Sequence, residues 1–209
     1  MLFLRDNQLF PPVEQTDKNG ILAFSMNLEL PRLIEAYTKG IFPWYNSDEP
    51  VIWWSPDPRM VLFSKDLKVS KSMKQVFRKQ MFTFTINKNF SEVIKACREI
   101  PRVGQDGTWI SDEIIEKYIQ LHQLGLANSV EVWNDKKELV GGLYGVKINR
   151  VFCGESMFAK ESNASKAGFI WFVQKFKDKI DIIDCQIYTK HLASLGAKLI
   201  PREKYLSYL

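Results

Sequence analysis

Two short apolar segments each carry an acidic residue that their surroundings do not call for. In VFCGESMF (151–158) a strand-like run is interrupted by Glu155. In IIDCQI (182–187) the two-residue period of a strand puts Ile182, Asp184 and Gln186 on one face and Ile183, Cys185 and Ile187 on the other. An ionised carboxylate among apolar groups is costly unless it is paired, hydrogen-bonded or kept for chemistry. An acid and an amide side by side, with a lone acid on a second strand, point to one shared site. Each acid also has a plainer reading. Asp184 could lie on the wet face of an edge strand, and Glu155 could be turned to solvent by a bulge that Gly154 would mark.

Aromatic and basic residues form two further groups. Trp44, Trp53, Trp54 and Trp109 stand at element boundaries, where an exposed ring can stack on a base or an apolar ligand and a covered one simply packs. Lys68, Lys71, Lys74 and Arg78 recur at helical spacing, as either a solvated face or a rail for phosphates. Several chemistries lack their signatures. There is no G-x-x-x-x-G-K-[ST], no G-x-G-x-x-G and no H-E-x-x-H, and the two histidines, His122 and His191, complete no Ser–His–acid pattern. No metal site is expected.

The scaffold that must position these groups has ordinary globular proportions. The 209 residues, 45% hydrophobic and 25% charged, suffice for one good-sized core with a small appendage. The net charge of +5 fits contact with nucleic acid or phosphate. Cys97, Cys153 and Cys185 form no C-x-x-C pair and sit among apolar neighbours, so they are expected to be reduced and buried. MLFLRDNQLFPP has no basic residue ahead of its short apolar run, and no stretch approaches the ~18–20 apolar residues of a membrane span. A cytoplasmic protein with no membrane partner is therefore expected.

Residues 1–60 differ in texture from the rest. LPRLIEAYTKG reads as a short helix, followed by the stiff, Pro- and Trp-rich segment IFPWYNSDEPVIWWSPDPR, a boundary that ends near Arg59. Beyond it come a helix started by Ser70, a strand at 82–86, a helix at 90–97, a loop at 98–107 and a helix capped by Ser111 and stopped by Gly125. NSVEVW, ELVGGLYGVKI and RVFCGESMF read as three consecutive antiparallel strands. A buried helix (ASKAGFIWFVQKF), a strand (DIIDCQIY) and a last short helix (KHLASLG) complete the chain. Strands paired as a meander and then crossed by helices give an α+β fold rather than a doubly wound sheet.

Taken in order, GIFPWY, WWSPDPR, GTWI, SVEVW, LVGGLYGV, FCGESMF, NASK, IDCQ and HLASLGA resemble the leucyl/phenylalanyl-tRNA–protein transferase family. The resemblance implies a small N-terminal domain over 1–60 and a catalytic domain over 61–209. The latter is expected to be similar to the acyl-CoA N-acyltransferase (GNAT-like) fold, with a mixed, mainly antiparallel sheet. The implied reaction moves Leu or Phe, less readily Met, from aminoacyl-tRNA to the α-amino group of proteins that begin with Arg or Lys, tagging them for N-end-rule degradation. The implied enzyme is a monomer without a cofactor, because an aminoacyl ester is already activated.

By resemblance, Asp184 and Gln186 are the catalytic pair, and Glu155 contacts the cationic acceptor or aligns its amine. Trp44 and Trp109 match rings around the 3′-terminal adenosine, and Leu143, Phe152, Phe172, Phe176 and Ile183 would line the pocket for the transferred side chain. Lys68, Lys71, Lys74 and Arg78 would contact tRNA phosphates. Two rivals are a coenzyme-A-dependent N-acetyltransferase, whose Q/R-x-x-G-x-G/A loop is absent, and a non-catalytic RNA-binding module with structural carboxylates.

Overall fold

The computed structural model of the chain describes residues 2–46, 48–101 and 108–209. Two sheets organise them. The smaller holds β1 (Leu2–Phe3), β2 (Ile21–Ser25), β3 (Phe42–Pro43) and β4 (Val51–Trp54) in the order β1-β2-β4-β3, with α1 (Leu30–Thr38) between β2 and β3. The larger is built from β5 (Arg59–Phe63), β6 (Thr83–Ile86), β7 (Ala127–Trp133), β8 (Leu139–Ile148), β9 (Val151–Ala159), β10 (Ile182–Gln186) and β11 (Lys198–Ile200). Its order is β11-β5-β10-β9-β8-β7-β6. The helices among these strands are α2 (Lys71–Arg78), α3 (Phe90–Glu99), α4 (Asp112–Gln123), α5 (Ala164–Phe176), α6 (Lys190–Ser194) and α7 (Arg202–Leu206).

Local chemistry accounts for most of these elements. Ser70 and Ser111 accept from the N–H groups of Met73 and Ile114, so α2 and α4 start where their hydroxyls satisfy orphan donors. Gly125, at φ 75°, takes the left-handed turn that ends α4. The expected meander is present as antiparallel β7, β8 and β9. After it, α5 carries the chain across the sheet to β10, which pairs parallel with β9 and antiparallel with β5. The other neighbours in the large sheet pair antiparallel, so the α+β class with a mixed, mainly antiparallel sheet holds. Residues 102–107 of the expected loop lie outside the described residues.

The small sheet's last strand ends at Trp54 and the large sheet's first begins at Arg59. Arg59 opens β5, which sits between β10 and β11 in the large sheet, so the chain enters that sheet directly from the small one. Alternation along the strands divides the core into two layers. Tyr144, Cys153 and Ile182 face α3, α4 and the small sheet, whereas Leu143, Phe152 and Ile183 face α5. The three cysteines are buried and form no disulfide among the described residues. Among the described residues, no helix is long and apolar enough to cross a membrane.

Candidate active site

β9 and β10 run side by side through the pairs Val151–Ile182, Phe152–Ile183 and Cys153–Asp184, and there the pairing stops. Both strands become irregular at once. Against β8, Tyr144 opposes Ser156 and Gly145 opposes Gly154, which leaves Glu155 as the extra residue of a bulge. Gly145 makes room for it, because a Cβ there would meet Cys153 O at 2.2 Å and the Phe152 ring at 2.6 Å. On β10 the register against β5 slips between Asp184 and Gln186, and Gln186 takes φ 63°, a left-handed conformation uncommon for glutamine. The strands part, and a cavity of about 440 Å³ opens between them.

Its walls are mainly apolar. Leu143, Phe152, Met157, Phe169 and Ile183 line one side, and Phe42, Trp44 and Trp109 line another. Phe172 and Phe176, expected in the lining, are not part of it. Phe172 packs on Phe152 with ring centroids 4.5 Å apart and Phe176 packs on Phe172 at 5.2 Å, so the two rings back the wall. Of the four tryptophans considered together, Trp44 and Trp109 reach the cavity. Trp53 is fully buried and donates to Ser25 Oγ, while Trp54 donates to the Trp44 carbonyl and buttresses that ring from 5.6 Å.

The polar centre is Glu155. Tyr118 donates its hydroxyl to Oε2 at 3.1 Å, and Gln186 Nε2 donates to Oε1 at 3.1 Å. Since the Tyr118 proton is committed to Glu155, the bond between the Tyr37 and Tyr118 hydroxyls is donated by Tyr37. Burial pushes the Glu155 carboxyl up to about 7, and the charge of Asp184 adds to that rise. The hydroxyls of Tyr37 and Tyr118 and the Gln186 amide pull it back. Burial, and then the Glu155 charge, raise both phenols well above their ordinary range, so they remain protonated donors. The expectation that a bulge would mark this position is met, but the bulge turns Glu155 into the cavity, not outward to solvent.

Asp184 lies differently from its sequence reading. β10 is a central strand, so there is no wet edge, and Asp184 is fully buried. Arg59 grips it through Nε to Oδ1 at 2.8 Å and Nη2 to Oδ2 at 2.6 Å. Tyr205 donates to Oδ2 at 2.9 Å and the Gln186 N–H to Oδ1 at 2.9 Å. Four donors fill a carboxylate's acceptor positions. The two-residue period that set Asp184 beside Gln186 breaks at the bulge, and the Gln186 side chain turns to Glu155.

Sequence reasoning gave no role to Arg59, Tyr37, Tyr118 or Tyr205. For Tyr37 and Tyr118 a signal existed: a phenol on an apolar helix face needs a partner once buried. His191 also lines the cavity, and burial, then Lys166, lower its pKa, so it is neutral at pH 7. In the basic stripe, Lys71, Lys74 and Arg78 are exposed on α2 while Met73 and Val76 face inward. Lys68 is exposed too, but it precedes the Ser70 cap and lies outside the helix. Among the described residues, no group of three His, Cys, Asp or Glu could hold a metal ion.

Known proteins match this chain along its length. The family model for leucyl/phenylalanyl-tRNA protein transferase matches residues 61–209, and the model for that family's N-terminal domain matches residues 26–57. The leucyl/phenylalanyl-tRNA–protein transferase of Christiangramia forsetii is 55% identical over 212 residues, covering 100% of both chains. That of Flavobacterium johnsoniae is 52% identical over 210 residues, covering 100% of this chain and 99% of its own. Among solved structures, a GCN5-related N-acetyltransferase-like protein from Streptococcus suis superimposes with a TM-score of 0.39 at 14% identity, over 85% of this chain and 67% of its own. At that level the likeness carries no weight, and the fold class rests on the two sheets and their register.

Proposed function

We infer the reaction from one premise: the chain belongs to the leucyl/phenylalanyl-tRNA–protein transferase family and is an aminoacyltransferase that works from charged tRNA onto protein. We propose that it moves Leu or Phe, and less readily Met, to the α-amino group of proteins beginning with Arg or Lys, marking them for N-end-rule degradation. The observation that carries this reading is the Glu155–Gln186 pair on the wall of an otherwise apolar cavity, at the point where β9 and β10 separate. An apolar side chain fits such a wall, and in this reading unbranched or γ-branched Leu, Phe and Met enter more easily than β-branched Val or Ile.

The chemistry then needs no further activation. The neutral acceptor amine attacks the ester carbonyl carbon, a C–N bond forms, and the ester C–O bond breaks as the terminal ribose oxygen leaves. Glu155, titrating near 7, takes the proton that the amine gives up and returns it to the leaving oxygen. Gln186, with its N–H committed to Glu155, turns its carbonyl oxygen toward the ammonium and helps hold the reactants together. Asp184, whose acceptor positions are filled, orients Gln186 and exchanges no proton. The charge of Glu155 also favours a cationic acceptor terminus.

In this reading Trp44 and Trp109 stack on the 3′-terminal adenosine, and the exposed Lys71, Lys74 and Arg78, with Lys68 ahead of them, follow acceptor-stem phosphates. Residues 1–60 brace the cavity through Phe42 and Trp44, and residues 61–209 carry the transfer. The test is incubation with tRNA bearing labelled leucine and an Arg-initiated peptide, with an Ala-initiated peptide as control. Label should pass to the first peptide alone. Binding of charged tRNA without transfer would favour a non-catalytic RNA-binding module, and labelling from acetyl-coenzyme A would favour an acetyltransferase.

A further inference from the structure

We propose that Arg59 and Tyr205 are positioning residues for the transfer step, acting through Asp184 to fix the Gln186 backbone and so aim its side chain at Glu155; this deepens the aminoacyl-transfer reading and rests on it. Arg59 is 1% exposed and its guanidinium is sandwiched, with its carbon 4.7 Å from the ring centroids of both Phe42 and Tyr205. Its planar fork holds both oxygens of Asp184, and the Tyr205 hydroxyl adds a third contact. A buried ion pair is a weak source of stability, because desolvation offsets its attraction. What this one supplies is direction. It leaves Oδ1 aimed at the Gln186 N–H, and that bond anchors the φ of 63° that sends the Gln186 side chain to Glu155.

Tyr205 is itself clamped. Gly40, at φ 70°, lies so close under α7 that a Cβ there would come within 2.4 Å of Leu206 Cδ2 and 3.1 Å of Tyr205 Cε1. Arg202 ties the start of α7 to the linker between the sheets, through its N–H to Asp57 Oδ1 and its guanidinium to the Ser55 carbonyl. The last helix and β5 thus meet on one carboxylate, and Phe42 of the small sheet packs on the arginine that holds it.

Tyr205→Phe keeps the ring on Arg59 and deletes one donor; Arg59→Lys keeps the charge and deletes the fork. Tyr205→Phe should lower kcat for leucyl transfer about tenfold with KM for charged tRNA and for peptide within about twofold. The Gln186 amide should exchange its hydrogen faster, by about tenfold, while α7 amides keep their protection. Arg59→Lys should show the same split with a larger loss. Wild-type kcat and wild-type exchange in Tyr205→Phe would overturn the proposal. Losses of kcat, KM and α7 protection in step would also overturn it, since they would make the contacts merely structural. A wild-type protein that transfers nothing is a separate result, one that removes the parent reading and this one with it.

Discussion

Gln186 Nε2 donates to Glu155 Oε1 across 3.1 Å, although the two residues come from different strands and meet only beyond the last pair those strands share. Two bulges make the meeting possible, one placing Glu155 out of register on β9 and one turning Gln186 left-handed on β10. Burial of the carboxyl so placed, and then the charge of Asp184, push it up to about 7 although it lines the cavity.

Replacing that carboxyl separates chemistry from binding. Glu155→Gln should lower leucyl transfer by about 100-fold or more while leaving the affinity for charged tRNA nearly unchanged, as read from single-turnover rates and filter binding. An equal loss in both would make Glu155 a binding residue only.

The same group sets a pH dependence with a definite sign. With Glu155 as the proposed base, the rate should rise with pH through about 7 and lose that step in Glu155→Gln. Stability runs the other way. The folded-state pKa is raised from 4.5 to about 7, so the stabilising contribution is full below pH 4.5 and lost as pH rises through about 7. Glu155→Gln should therefore stabilise the protein at pH 8, by on the order of 1–3 kcal/mol, and much less at pH 4. Thermal melts at the two pH values check this.

Asp184→Asn leaves the Arg59 guanidinium buried without its counter-charge. A destabilisation of about 3–5 kcal/mol is expected, measured by denaturant unfolding. An unaltered midpoint would show that the pair is not the closed unit its four hydrogen bonds describe.

Much of this architecture is readable locally and some of it is not. The caps at Ser70 and Ser111, the β7–β9 meander and the apolar crossover α5 follow from short-range pattern, and Glu155 and Asp184 stand out as acids in apolar strands. What escapes is long-range. Arg59 finds Asp184 across 125 positions, and Tyr205 arrives from a five-residue helix with no periodic signature. The left-handed Gln186 also has no sequence marker, since Gly or Asn would be the usual residue there; extending the two-residue period past Asp184 therefore misplaces it. Phe172 and Phe176 share an apolar face with true lining residues but sit one layer behind them.

Narrowing the cavity should change selectivity before it changes stability. Leu143→Phe adds bulk to the lining beside Phe152 and Ile183, so phenylalanyl transfer should fall about tenfold or more while leucyl transfer falls less. Parallel assays with tRNA charged with Leu and with Phe measure the ratio; an unchanged ratio would place the transferred side chain elsewhere.

Neutralising Lys71 and Lys74 on the outer face of α2 should weaken tRNA binding and flatten its salt dependence by up to about 1.8 in the log–log slope, the value for two phosphate contacts. An unchanged slope would make the stripe an ordinary solvated face.

The most direct measurement is the structure of this protein bound to a non-hydrolysable 3′-leucyl-adenosine. The leucine side chain is expected between Leu143, Phe152 and Ile183, the adenine against Trp44 or Trp109, and the leucyl carbonyl carbon beside Glu155 and Gln186. A ligand seated outside this cavity, or a carbonyl carbon facing away from both residues, would contradict the assignment of Glu155 and Gln186 to the transfer.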